Sequence, residues 1–196
     1  MSSIEAYWEK YLLKGDEKSF SAIYNQMAND LYGYGLSFGY REEICKDALQ
    51  DVFYRLFIQR DKLHHVENII AYLFRSYRNR LADLTRIDRR TESIGTLEET
   101  FSPEVTILDD LIDREVSENI RKKIENLLRQ LNTNQREIVY LKYMSGLQHR
   151  EIAGIMGIQE ESARKLLYRT IEKLRKSATG DATVKTIILA LLQMLQ

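Results

Sequence analysis

Arg75, Arg78, Arg80 and Arg86 fall within twelve residues of one another, and Ser162, Arg164, Lys165 and Arg169 cluster within eight. Guanidinium and ammonium groups at this density can hold nucleic-acid phosphates, although for the arginines of residues 75–86 an ordinary amphipathic helix with a cationic solvated face fits the spacing equally well. A third polar group, Asp47, Gln50, Asp51 and Arg55, recurs at the three-and-four spacing of one helix face. Spacing alone assigns that face nothing beyond solvation. Bond-making chemistry has no comparable support, because no nucleophile, base and orienting partner converge in the sequence. His64 and His65 are adjacent but lack a third ligand at fitting spacing, and the single Cys45 permits neither an internal disulfide nor a zinc-ligand pattern. No catalytic, cofactor-binding or metal-ligating residue is expected, and the chain is not expected to be an enzyme.

The elements that must position these residues read as helices. The 196 residues include one proline and nine glycines, strand-like alternation is scarce, and apolar residues recur every three or four positions. Ile4 to Leu13 places Tyr7, Trp8, Tyr11 and Leu12 on one face, and Gly15-Asp16 ends it. A second helix from about Ser19 carries Phe20, Ile23, Tyr24, Met27, Leu31, Tyr34 and Phe38, with Gly33, Gly35 and Gly39 expected to loosen its end. The helix from about Glu42 to Gln59 is expected to bury Leu49, Val52, Phe53, Leu56 and Phe57. Between residues 69 and 90 the arginines alternate with Tyr72, Phe74 and Tyr77, aromatics that either pack inward or stack on unpaired bases.

Farther on, Val116, Ile120, Ile124, Leu127, Leu128 and Leu131 form an apolar stripe. Asn132 or Thr133 caps the next helix, which buries Ile138, Val139, Leu141 and Met144. Residues Gly146 to Arg175 then have the pattern of a helix-turn-helix. Ile152, Ile155 and Met156 pack inward, Gly157 permits a left-handed turn, and Ile158 anchors the approach to the second helix. On that helix Ala163, Leu166, Leu167, Thr170, Ile171 and Leu174 face the core, which leaves the second basic cluster for a DNA groove. The expected fold is all-α, and 196 residues allow either one large helical domain or two small ones.

Formal net charge is zero, from 29 basic and 29 acidic residues, but its distribution is uneven. Residues 1–71 carry a net of −3 and residues 72–90 a net of +4. Residues 91–113 carry seven acidic groups and no basic one, whereas residues 114–176 carry a net of +6. Two basic blocks are thus separated by an acidic, proline-containing spacer that reads as a solvated tether. The tail, residues 177–196, is apolar on one side through Ile187, Ile188, Leu191, Leu192 and Leu195. It falls short of the roughly 20 residues needed to cross a bilayer, so no membrane insertion is expected. It packs on the chain's own domains, docks a regulator, or acts as an autoinhibitory clasp. Charged and aromatic residues follow Met1 to Ala6 where a signal peptide has an apolar run, which leads to a cytoplasmic expectation.

Several fragments, taken in order, carry a resemblance. They are Gly15-Asp16-Glu17 with Phe20 and Tyr24; Asp47-Ala48-Leu49-Gln50-Asp51-Val52-Phe53 with Arg55-Leu56; Tyr72-Leu73 with Arg78-Asn79 and Asp83; and Gly146-Leu147, Glu151-Ile152-Ala153 and Gly157-Ile158. Residues 19–86 resemble the second conserved domain of bacterial RNA polymerase sigma factors, and residues 131–176 resemble the fourth. With only a short acidic link between them, the chain is similar to the two-domain, extracytoplasmic-function type. The resemblance implies domain two over residues 1–90, a linker over 91–113, domain four over 114–176 and the tail over 177–196.

It further implies that Asp47, Gln50 and Asp51 dock on core RNA polymerase, and that Arg78, Asn79 and Asp83 engage the promoter element near the start site beside Arg75, Arg80 and Arg86. By the same resemblance the loop 60–68 accepts a flipped base, and an anti-sigma factor masks the polymerase-binding surfaces. Glu160 and Glu161 depart from the family pattern, as does Leu166. The acidic pair either stabilises the start of its helix or repels phosphate and accepts from a cytosine amino group. The competing expectation is a free-standing helix-turn-helix repressor or activator that never joins polymerase.

Overall fold

A glycine and an acidic cap break the N-terminal apolar stretch into two helices, α1 (Ser3–Lys14) and α2 (Glu17–Ser37). Gly15 adopts φ 63° and its N–H donates to the Tyr11 carbonyl at 2.8 Å, which closes α1 in the left-handed conformation that glycine adopts without steric cost. Asp16 then caps α2, accepting from the Ser19 N–H at 3.0 Å and the Ser19 hydroxyl at 2.5 Å. The Ser19 hydroxyl bond, with Lys10 3.2 Å away, holds the Asp16 carboxyl below the usual carboxylate range.

The computed structural model describes residues 3–91, 126, 128–143 and 145–177. It continues with α3 (Glu42–Ile58), a 3-10 turn (Arg60–Lys62) and α4 (Ile69–Thr91), then α5 (Thr133–Tyr143), α6 (His149–Met156) and α7 (Glu160–Ser177). No strand occurs among the described residues. Expectations for the acidic spacer, the stripe from Val116 to Leu127, Met144 and the tail beyond Ser177 fall outside them. The chain divides into one unit of Met1–Leu36 with Tyr40–Leu97 and a second of Glu98–Gln196 with Ser37–Gly39.

In the first unit α3 packs along α4, and α1 touches α4. The α4 stripe of Ile69, Leu73, Tyr77 and Leu81, joined by Phe74, is fully buried. Each such side chain contributes roughly 1.5–3 kcal/mol relative to exposure. Phe74 and Tyr77 therefore pack inward, and Phe74 meets Tyr34 edge-on at 5.2 Å. Three stripes differ from the sequence expectation, the α2 row in leaving Tyr24 41% exposed. On α1 the buried row is Ile4, Trp8 and Tyr11, while Tyr7 is exposed. On α3 it is Cys45, Ala48, Val52, Phe53 and Leu56, while Leu49 is half-buried and Phe57 is 54% exposed. Periodicity marks two adjacent apolar rows on α3 without ranking them, and the row with small Cys45 and Ala48 permits the closer helix approach.

Gly35 follows the same logic. Rather than loosening α2, it lies inside the helix, where an added Cβ would stand 2.6 Å from the Tyr77 hydroxyl and 2.9 Å from Cys45 Sγ. The Tyr77 hydroxyl donates to the Cys45 carbonyl at 3.1 Å across this junction.

In the second unit α7 packs on both α5 and α6. Asn132, rather than Thr133, caps α5: its side-chain oxygen accepts from the Gln135 N–H at 2.9 Å, and Gln135 Oε1 accepts from the Asn132 N–H at 3.1 Å. Leu128, Leu131 and Val139 form a cluster with Tyr143 and Leu174, which joins the turn before α5 to the far end of α7. Lys173 Nζ donates to the Gln130 carbonyl, and the Ser177 hydroxyl donates to Gln130 Oε1 at 2.8 Å, which fixes the same end.

Candidate nucleic-acid interface

On α4 the buried stripe forces the arginine-rich side outward. Arg75, Asn79 and Arg86 are exposed along one face, with Arg78 and Asp83 half-exposed beside them. Arg86 pairs with Asp83 at 2.8 Å, a contact between exposed groups worth at most about 1 kcal/mol. Arg80 stands at the edge of this face where α4 meets α3. Its Nε and Nη2 reach Asp51 Oδ2 at 2.6 and 2.5 Å. One residue expected at DNA and one expected at polymerase are thus bonded to each other.

The chain before α4 is anchored at both ends. Asn68 caps the helix by accepting from the Ala71 N–H at 3.0 Å, Trp8 Nε1 donates to the Val66 carbonyl at 3.1 Å, and Leu63 is buried. His64 and His65 project outward, and among the described residues no three His, Cys, Asp or Glu side chains gather as a metal site.

On α3 Asp47 and Gln50 are exposed, and Asp51 is half-buried in its pair with Arg80. Beside them an apolar groove of about 500 Å³ is lined by Phe20, Tyr24, Leu49, Phe53 and Phe57, with Lys46, Gln50 and Tyr54 also on its wall. Its rings meet edge-on, Tyr24 with Phe53 at 4.7 Å and Phe20 with Phe57 at 5.7 Å. Sequence reasoning missed this groove by assigning Leu49 and Phe57 to the core. The available signal was an α3 apolar surface too wide for a single stripe.

The helix-turn-helix is built as its spacing predicts. The Gln148 N–H donates to the Glu151 carboxylate at 2.6 Å to start α6, and Gly157, at φ 68° and ψ 33°, ends it. Ile152, Ala153 and Ile155 are buried against Ala163, Leu167 and Thr170 of α7, while Leu166, Ile171 and Leu174 are half-buried. Ser162, Arg164, Lys165 and Arg169 are all exposed. Glu160 lies 3.3 Å from Arg164 and Glu161 lies 3.4 Å from Lys165, so the acidic start pairs with the basic residues one turn on. Sequence reasoning overlooked Tyr168, which is 67% exposed amid Arg164, Lys165 and Arg169. Its position outside the 163, 167 and 170 stripe was the available signal. His149, on α6, is drawn below the ordinary imidazole range by burial and then by Lys142 and Arg164.

Two separately built surfaces therefore exist: a basic helix face beside an acidic and aromatic one in the first unit, and a basic recognition helix in the second. Residues 121–174 match the family model described as sigma-70, region 4. The chain is 27% identical to the ECF RNA polymerase sigma factor SigM of Bacillus subtilis, over 78% of this chain and 91% of that one. It is 25% identical to the RNA polymerase sigma factor CarQ of Myxococcus xanthus, over 83% and 90% respectively. The fold resembles the sigma factor RpoE solved with the anti-sigma factor NepR from Bartonella quintana, at TM-score 0.59 and 22% identity, covering 84% of this chain and 99% of that one. It also resembles CnrH solved with the cytosolic domain of CnrY, at TM-score 0.56 and 18% identity, covering 92% and 100%. The family match in the C-terminal part, together with relatives aligned over about four fifths of the chain, makes this protein similar to the extracytoplasmic-function type of RNA polymerase sigma factors.

Proposed function

We propose that this protein binds core RNA polymerase and directs promoter-specific transcription initiation, residues 1–90 acting as sigma domain two and residues 114–176 as domain four across the 91–113 linker. The observation that carries this reading is that likeness to sigma factors extends over about four fifths of the chain, well beyond the helix-turn-helix. A free-standing repressor accounts for a helix-turn-helix but not for likeness to sigma factors outside residues 121–174.

In domain two, Asp47, Gln50 and Asp51 dock on polymerase from α3, and the α4 face of Arg75, Arg78, Asn79, Arg80, Asp83 and Arg86 takes the melted start-site element. Extruding a base costs a few kcal/mol, which phosphate contacts along a basic helix offset. In domain four, Ser162, Arg164, Lys165 and Arg169 of α7 meet the upstream element, and exposed Tyr168 adds an apolar surface that suits a thymine methyl group. The protein is not itself an enzyme, since polymerase supplies the catalysis. It works in the cytoplasm with polymerase; no described helix is long and apolar enough to cross a membrane. A regulatory partner of the anti-sigma class, as the anti-sigma factor NepR accompanies RpoE in its solved complex, masks the docking surfaces.

In vitro transcription with purified core polymerase and genomic fragments tests this reading. Promoter-selective transcripts are expected only when the protein is added. Operator binding by the protein alone, with no polymerase-dependent initiation, would return the assignment to a repressor or activator. Gln50→Ala with Asp51→Ala is expected to weaken binding to core polymerase, and intact binding would remove α3 from the docking surface.

A further inference from the structure

We infer that Asp51 is a positioning residue that keeps Arg80 away from nucleic acid, so that engagement of α3 by polymerase and of α4 by the melted strand are energetically linked. This rests on the function proposed above and deepens it. Two donors of the Arg80 guanidinium converge on a single Asp51 oxygen at 2.6 and 2.5 Å, and the two side chains are 22% and 38% exposed. Among the described residues neither has a second ion pair. Arg80 is thus a member of the α4 basic cluster whose charge is cancelled by a neighbouring helix, whereas Arg75 projects into solvent and Arg86 pairs only along its own helix.

Asp51 also lies one turn after Asp47 and next to Gln50, on the face assigned to polymerase. A cation of the docking partner that reaches Asp51 competes with Arg80 and releases the guanidinium toward phosphate. By reciprocity, a phosphate that draws Arg80 away leaves Asp51 open to the partner, so each ligand strengthens the other by the same factor. Free protein then holds single-stranded DNA with one cation fewer than the polymerase-bound form.

The test measures binding of the full-length protein to a fluorescein-labelled oligothymidylate by anisotropy across a salt series. Asp51→Asn should tighten binding at low salt and steepen the log–log salt slope by about 0.7, the value for one additional phosphate contact on a single strand. Asp47→Asn removes the same charge from the same face without touching Arg80 and should change the slope less. Arg80→Gln should cost more affinity in the Asp51→Asn background than in the wild type. In a second arm, Arg80→Gln should tighten binding to core polymerase severalfold by unmasking Asp51.

Equal effects of Arg80→Gln in both backgrounds, or equal effects of Asp51→Asn and Asp47→Asn, would overturn the inference. If Asp51→Asn does not fold, Arg80→Lys weakens the pair with both charges kept, and an unaltered polymerase affinity would then overturn it. Failure of the wild-type protein to bind polymerase sinks the proposed function instead, and is distinguishable because the DNA arm uses no polymerase.

Discussion

Replacing Gly35 with alanine sets two physical effects against each other. In a helix interior alanine is preferred over glycine by about 1 kcal/mol, so propensity alone makes Gly35→Ala stabilising. The structure reverses that sign. The new methyl group would lie 2.6 Å from the Tyr77 hydroxyl, 2.9 Å from Cys45 Sγ and 3.2 Å from Tyr77 Cε1, and Tyr77 and Cys45 are fully buried. Overpacking a core costs about 1–3 kcal/mol, and displacing the Tyr77 bond to the Cys45 carbonyl adds about 1 kcal/mol. The net expectation is a loss of about 1–3 kcal/mol. Trp8 is the single tryptophan and is buried in the same unit, so its fluorescence during urea unfolding reports on this junction without interference from the second unit. With a slope of about 1–3 kcal/mol per molar urea, the midpoint should fall by roughly 1 M. Tyr77→Phe in the same background removes the atom at 2.6 Å and should restore part of the loss. A midpoint that rises on Gly35→Ala would refute the packing argument.

Asn132→Ala removes the α5 cap and should cost about 1 kcal/mol in thermal or urea unfolding of the second unit, with Asn132→Asp largely tolerated. Burial pushes the Cys45 thiol up to about 11 from an ordinary 9.0, so it should resist alkylation in the native protein at pH 8 and react quickly in denaturant. Because that pKa is raised on folding, its contribution is complete below about pH 9 and is lost as pH climbs through about 11; Cys45→Ala should flatten that part of the alkaline unfolding profile. Glu160→Gln frees Arg164 from its 3.3 Å pair and removes a negative charge near the groove, so upstream-element binding should tighten, whereas Arg164→Ala should weaken it and lower the salt slope by about 0.9. Gel-shift titrations at several salt concentrations measure both.

Local chemistry was legible wherever a residue acts on its own neighbourhood. Gly15-Asp16 ends one helix and starts the next, Gly157 adopts the left-handed turn, and the apolar positions of α7 leave Arg164, Lys165 and Arg169 outward. What the sequence left undecided involved neighbours distant in the chain. Phe57 and Leu49 share the helical period of the true core row, and only packing against α2 and α4 determined that Cys45 and Ala48 face inward. The choice of Asn132 over Thr133 as cap required the reciprocal bond with Gln135, because both residue types can serve.

The sequence by itself determined the helices of the described residues, a helix-turn-helix with its basic face outward, and an order of motifs that resembles that of two-domain sigma factors. These follow from periodicity, turn chemistry and residue order, which are properties of short segments. Tertiary structure alone decided that Asp51 and Arg80, 29 positions apart, spend their charges on each other, and that Phe20, Tyr24, Phe53 and Phe57 line an open groove. Helical period specifies which side chains share a face; it carries no information about which face of another helix comes to meet them.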